Sequence, residues 1–327
     1  MARKRVAIAC QGGGSHTAFT AGVLMTLLRS RDAWRHAYEP VALSGTSGGA
    51  ICALLAWQGL LEDDWEGGAA RLDAFWKDVS AGEPWDAVVN AWTIWLARLR
   101  DVMAVPELSP YAVPPWGQQR LRRMLERHVD FPRLHALAAD GGPALLVSAV
   151  DVLTGRFRVF RNEEVTADTI LASAAVPPIF RAVPIGGGLY WDGLFSQNPP
   201  IKDFLAGRRA EDKPDEIWLV RINPETREAE PRLISEIADR RNELAGNLSL
   251  AQELDFVAKV NEWLAEGRLS LLRYKPVAVR TIALRGDLDL ASKLDRTPAF
   301  LAAVIAAGER EAARFLETLT RPSAPPA

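Results

Sequence analysis

Twice within its first sixty residues the chain passes from a short apolar segment, through a glycine-rich turn, into an apolar helical stretch. The first segment spans residues 5–10, is apolar from Val6 to Cys10, and leads through Gln11 to Gly12-Gly13-Gly14 and a helical pattern from Ala18 to Leu28. The second is Pro40-Val41-Ala42-Leu43-Ser44, followed by Gly45-Thr46-Ser47-Gly48-Gly49 and an apolar helical pattern from Ala50 to Leu60. A short strand with no polar face has to be buried on both sides, as strands of a parallel sheet are. Further strands are expected over residues 145–152, with a hairpin through Thr154-Gly155 into residues 156–160, and over residues 217–222 and 277–284, the last two each followed by helix. The predicted architecture is α/β: a mostly parallel central sheet covered by helices on both faces.

Composition narrows the function classes. The chain has 327 residues, 48% of them apolar, enough to bury a sizeable core without staples. A net charge of −2 gives no reason to expect nucleic acid as a partner. The only two cysteines, Cys10 and Cys52, lie in apolar runs, which suits a reducing compartment and supplies neither a disulfide framework nor a metal quartet. The apolar stretch after Arg3-Lys4-Arg5 is too short for a signal peptide, and no run is long enough to span a bilayer. The reading is therefore a soluble, cytoplasmic protein, with no cofactor and no metal expected.

Residues from about 62 to 140 are helical in pattern and carry Trp65, Trp76, Trp85, Trp92, Trp95 and Trp116, six of the eleven tryptophans in the chain. They are expected to form an insertion covering the site within a single domain over residues 1–320, with the Pro/Ala-rich residues 321–327 as a disordered tail.

Gly45-Thr46-Ser47-Gly48-Gly49 fits G-x-S-x-G. A serine on a sharp strand-to-helix turn has a strained backbone, and side chains at Gly45 and Gly49 would strike neighbouring segments. The helix that follows points its N-terminus at the serine and favours developing negative charge there. Ser47 is thus a candidate nucleophile, the alternative being a plain helix-capping serine in a glycine turn. Backbone amides of Gly12, Gly13 and Gly14 are candidate oxyanion donors, each able to contribute about 3 kcal/mol of transition-state stabilisation. A dinucleotide site competes for these glycines, but Thr17 stands where that fingerprint needs Gly or Ala, and no P-loop pattern occurs.

A serine nucleophile needs a base. The four histidines are His16, His36, His128 and His135, so none follows residue 135, where the Ser–acid–His order of α/β-hydrolases would put it. Asp192 is the better partner, at the end of a short aromatic strand in Gly187-Gly188-Leu189-Tyr190-Trp191-Asp192-Gly193. Taken singly, Asp192-Gly193 also reads as an ordinary turn.

Together the glycine turn, the G-x-S-x-G turn and Asp192-Gly193 resemble the patatin-like phospholipase family, whose pattern is G-G-G-x-[Arg/Lys]-G, G-x-S-x-G and D-G-[Gly/Ala]. Ala172-Ser173-Ala174-Ala175-Val176-Pro177, Phe180 and Asn198-Pro199 are similar to that family too, and the resemblance covers roughly residues 5–205. It implies a three-layer α/β/α fold, a Ser47–Asp192 dyad and hydrolysis of lipid acyl esters through an acyl-enzyme, with Asp192 as the base in both halves. For this the carboxyl pKa must rise from about 3.9, and burial beside Trp191 is expected to raise it. The chain departs from the pattern at His16 (for Arg or Lys), Thr17 (for Gly) and Leu194 (for Gly or Ala). Thr17 is the departure that threatens the amides of Gly13 and Gly14. Two alternatives keep the same scaffold: acyl transfer through the same dyad, and a weakly active binding member.

The implied partner is a lipid or acyl ester, with peripheral membrane contact as an extension. Trp92 and Trp95 lie three apart, near Leu96 and Leu99, and so share a helix face. Arg120, Arg122, Arg123 and Arg127 surround a Leu121/Leu125 face, a combination suited to an anionic interface. The competing reading is a core stripe beside a solvated basic face.

Overall fold

The computed structural model describes residues 2–99, 109–177, 179–286 and 288–320. The expected tail at residues 321–327, and the side chains of Trp85, Leu96 and Leu99, lie outside that description.

The expected strands form as β1 (Lys4–Cys10), β2 (Tyr38–Gly45), β3 (Ala144–Asp151) with its hairpin partner β4 (Phe157–Arg161), β7 (Glu216–Arg221) and β8 (Ala278–Ala283). The aromatic segment before Asp192 is β6 (Gly188–Asp192). β5 (Val183–Ile185) was not expected: it has three residues, one of them proline, which suits only the edge it occupies. Among the described residues these strands make one sheet in the order β5-β6-β3-β2-β1-β7-β8, with β4 on β3. β1, β2, β3, β7 and β8 run parallel, whereas β4 and β6 run antiparallel to β3 and β5 antiparallel to β6.

The helices are α1 (Ala18–Arg29), α2 (Arg31–Trp34), α3 (Gly48–Leu61), α4 (Trp65–Val79), α5 (Pro84–Leu99), α6 (Trp116–His128), α7 (Phe131–Ala139), α8 (Ala167–Ser173), α9 (Ile234–Ala265) and α10 (Pro298–Thr320). The period-2 alternation of the strands divides the apolar residues between two cores. Val6, Ile8, Cys10, Leu43, Val147, Trp218 and Val220 face a core shared with α1, α3, α4 and α10. Ala7, Ala9, Ala42, Leu146, Ile217 and Leu219 face the other, closed by Leu250 and Val257 of α9. Both faces are covered, which is the three-layer α/β/α fold. α3 is buried on every side from Gly49 to Gly59, and this accounts for its lack of a polar face.

The segment between α3 and β3 divides in character. α4 packs into the first core through Ala69, Leu72, Phe75 and Trp76, and Trp65 is buried with them. Trp92, Trp95 and Trp116, on α5 and α6, are exposed.

Strand register carries the site. Cys10 pairs with Gly45 and Gly45 with Val147, while Ala149 pairs with Asp192. Gly12, Ser47 and Asp192 therefore all come just beyond one line drawn across the strand ends. The carboxyl edge of an open α/β sheet is where such folds place ligand sites.

Candidate active site

Ser47 is the residue between β2 and α3, with φ 55° and ψ −130°. That left-handed backbone is unfavourable for any residue with a Cβ and persists only where the surroundings enforce it. They do so through close approach: a Cβ on Gly45 would lie 2.5 Å from the Gly49 carbonyl oxygen, and one on Gly49 would lie 2.4 Å from that of Cys10. The Ser47 N–H donates to Ser173 Oγ at 3.0 Å, tying the turn to the end of α8. Gly48 is equally constrained, since its Cβ would meet Thr17 Oγ1 at 2.1 Å. That constraint arises from a segment thirty residues away in sequence, so the motif could not announce it.

The glycine turn packs directly against this elbow. A Cβ on Gly12 would sit 2.6 Å from the Thr46 carbonyl oxygen. The Gly12 N–H donates to Asn198 Oδ1 at 2.7 Å. Of the three expected oxyanion donors, the Gly12 amide is thus engaged by Asn198 in this structure. Gly13 and Gly14 have no acceptor for their N–H groups among the described residues. Gly14 needs its glycine twice over, with φ 57° and the Lys293 carbonyl oxygen 2.4 Å from where a Cβ would be. Thr17 braces this turn: its hydroxyl donates to the Gly14 carbonyl at 2.5 Å, and the side chain is fully buried.

Asp192 ends β6 and is fully buried. Its Oδ1 accepts the N–H of Leu194 at 2.7 Å. Oδ2 has no well-formed hydrogen bond among the described residues, although the Ser47 hydroxyl is close enough to favour the charged form. Burial dominates and pushes the pKa up to about 7, against the pull of the Leu194 amide, Ser47 and the Lys293 charge. Gly193 lets this strand end press onto β3, because its Cβ would fall 2.2 Å from Ser148 Oγ. Ser148 Oγ shares a 2.6 Å hydrogen bond with Thr46 Oγ1, and both hydroxyls lie 2.7 Å from the Gln197 carbonyl oxygen. This buried triangle couples the serine elbow to the aspartate segment. Sequence reading missed Thr46, Ser148 and Gln197, because nothing in their local pattern reports a contact between three separate segments.

Ser47, Asp192, Gly12, Gly13, Gly14 and Gly48 open onto one cavity of about 690 Å³. Its remaining wall is mostly apolar, with Ile51, Phe75, Trp76, Leu121, Phe180 and Leu194 among its residues. No described histidine lines it. His16 donates or accepts at Ser292 Oγ (2.7 Å), and burial pushes its pKa down to about 3, so it is neutral and structural. His128 pairs with Asp78 and His135 with the Val165 carbonyl. The described residues hold no cluster of three metal-binding side chains.

A profile of the patatin-like phospholipase family matches residues 8–205, more than half of the chain. Among solved structures, VipD from Legionella pneumophila is similar at 15% identity and a TM-score of 0.41, aligned over 97% of this chain and 67% of its own. The type III effector protein ExoU is similar at 14% identity and a TM-score of 0.36, over 95% of this chain and 53% of its own. The chain thus spans about half of ExoU's length. No curated protein matches the sequence. By the family match over residues 8–205, the chain belongs to the patatin-like phospholipases, a family of lipid-hydrolysing enzymes.

Proposed function

We propose that the protein hydrolyses acyl esters of lipids through Ser47 and Asp192, by way of an acyl-enzyme. One observation carries the reading: a serine held in a glycine-type backbone conformation and a buried carboxylate, one oxygen of which has no well-formed hydrogen bond among the described residues, share one large apolar cavity. Asp192 accepts the Ser47 proton as Oγ attacks the ester carbonyl. The tetrahedral oxyanion takes the amides of Gly13 and Gly14, and the amide of Gly48 at the head of α3 is a further donor. The departing alcohol receives the proton from Asp192, leaving the acyl group on Ser47. Asp192 then deprotonates a water, whose attack releases the fatty acid and returns the proton to Ser47. A pKa near 7 suits a group that must take and give a proton in each half. Transfer to an alcohol acceptor would use the same acyl-enzyme, and product analysis with competing alcohols separates the two.

The test is labelling with a fluorophosphonate probe followed by peptide mass spectrometry. The expected adduct is on Ser47, in native protein and not after unfolding. Absence of an adduct, or modification of another serine, would sink the assignment.

The reading extends to contact with a lipid surface. α5 supplies Asn90 and Thr93 to the cavity wall and exposes Trp92 and Trp95, whose rings pack edge to face 5.3 Å apart. Trp116 is exposed at the start of α6, beside Gly117, which abuts Phe180 of the cavity wall. Three of the arginines expected to favour an anionic interface are held in ion pairs rather than left free: Arg120 with Asp86, Arg122 with Asp168 and Arg127 with Asp78. No described helix is long and apolar enough to cross a membrane. Co-sedimentation with zwitterionic vesicles is therefore expected, reduced several-fold in the Trp92→Ala/Trp95→Ala/Trp116→Ala variant and little affected by salt. Binding that needs anionic lipid and vanishes in high salt would return the role to the arginines.

A further inference from the structure

Lys293 is a cation that the mechanism above leaves unused. It lies in the turn Ala291–Leu294 before α10 and lines the same cavity as Ser47, Asp192 and the glycine turn. Its carbonyl oxygen presses on Gly14, which holds its backbone against the expected oxyanion donors. Its ammonium donates to Asn242 Oδ1 at 2.5 Å and to Asn223 Oδ1 at 2.9 Å. An ammonium has three N–H donors, and the third has no acceptor among the described residues.

No described carboxylate closes an ion pair with it either. Glu243 is engaged by Arg227 and Arg240, and Asp239 accepts the Leu290 N–H. Burial lowers the Lys293 pKa to about 8, against the more distant charges of Glu243, Asp239 and Asp192. Removing an ammonium from water without an ion pair is costly, and a methionine would fill the same space without that cost. The other described cation on the cavity wall, Arg296, is taken up by a two-point contact with Asp86 and by the Val79 carbonyl. His16, where the family pattern has Arg or Lys, is neutral. Among the described residues lining the cavity, the cation with an open donor therefore comes from the C-terminal segment.

Building on the Ser47–Asp192 reading, we propose that Lys293 is the anion-binding group of this cavity. It takes the phosphodiester that adjoins the scissile ester of a glycerophospholipid, and so favours phospholipids over uncharged acylglycerols. The surrounding wall is apolar, and a charge-assisted N–H···O contact is stronger there than in water. Lys293 lies close enough to Asp192 for each charge to act on the other, but the two form no direct pair.

Calorimetric titration with two uncleavable amphiphiles tests this: dodecylphosphocholine, which carries the phosphodiester, and dodecylglycerol ether, which does not. The wild-type protein is expected to prefer the phosphodiester, and Lys293→Met to reduce that preference on the order of 10–100-fold, the range for a hydrogen bond to a charged group. Lys293→Arg should restore most of it. With a short-chain phosphatidylcholine as substrate, the Met variant should raise KM more than it lowers kcat, since the contact is present before reaction. Equal loss of affinity for both amphiphiles would assign Lys293 to the fold or to Asp192 and overturn the proposal. So would a wild-type protein without preference, which is a result needing no variant. Inorganic phosphate binding as tightly as dodecylphosphocholine would mark a site for a free anion and overturn the lipid assignment. Because binding is read without turnover, an unlabelled Ser47 would remove the dyad and leave these titrations to judge Lys293 separately.

Discussion

Asp192→Asn is expected to slow hydrolysis of a short p-nitrophenyl ester by about a thousandfold, within the range for loss of a general base, while raising the melting temperature at pH 8. The two effects have one cause. Burial raises the carboxyl pKa from 3.8 to about 7, so the folded protein prefers the protonated form. A raised acid pKa costs stability wherever the unfolded chain is ionised and the folded group resists ionisation. That cost is absent below pH 3.8, grows as pH rises towards 7, and is fully present above it. At about 1.4 kcal/mol per pKa unit it amounts to roughly 4 kcal/mol. Asparagine keeps an oxygen for the Leu194 amide and carries no charge to bury. The Asn variant should therefore match the wild type in melts at pH 4 and exceed it by several degrees at pH 8. In the wild type, kcat/KM should rise with pH along an acid limb centred near 7, because only the ionised carboxylate is a base. A limb near pH 4, or an Asn variant that melts lower at pH 8, would remove the buried-base account.

Ser47→Gly and Ser47→Ala should both abolish turnover, by about 10⁴-fold or more, and yet differ in stability. At φ 55° and ψ −130° any side chain is strained, at about 1–3 kcal/mol. The serine hydroxyl caps nothing on α3, so its removal forfeits no capping bond. Alanine keeps the strain and should melt close to the wild type. Glycine relieves it, at an entropic cost of about 0.5–1 kcal/mol, and should be more stable by about 1 kcal/mol. Calorimetry of the three proteins decides the matter: a glycine variant less stable than the alanine one would mean that the elbow stores no strain.

Much of the sheet was legible because its signals are local. Strands without a polar face, such as Val6–Cys10, can only be buried between layers, and the two glycine turns mark where such strands end. The expected segments at 145–152, 217–222 and 277–284 formed within a residue or two of their ends, whereas the proline-bearing edge strand β5 escaped notice. The tryptophan-rich segment was legible as helical but not as divided. Periodicity places Trp76 and Trp92 alike on helices, and only packing against α1 and α3 buries the one and leaves the other exposed.

Sequence by itself determined the α/β class, the serine turn, the glycine turn and the aspartate strand end as candidates, since each is a short run whose residue types are dictated by its own backbone. Tertiary structure alone decided how they work together. The register from Cys10 through Gly45 and Val147, with Ala149 opposite Asp192, brings residues far apart in the chain to one sheet edge. Asn198 takes the Gly12 amide, whereas those of Gly13 and Gly14 meet no acceptor among the described residues. Thr17, a departure that looked damaging, braces the turn through the Gly14 carbonyl. Lys293 enters the cavity from a segment beyond the family match. The physical reason is common to all four. Desolvation, close approach and hydrogen-bond partnership depend on atoms contributed by other segments, and no local pattern encodes which segment that will be.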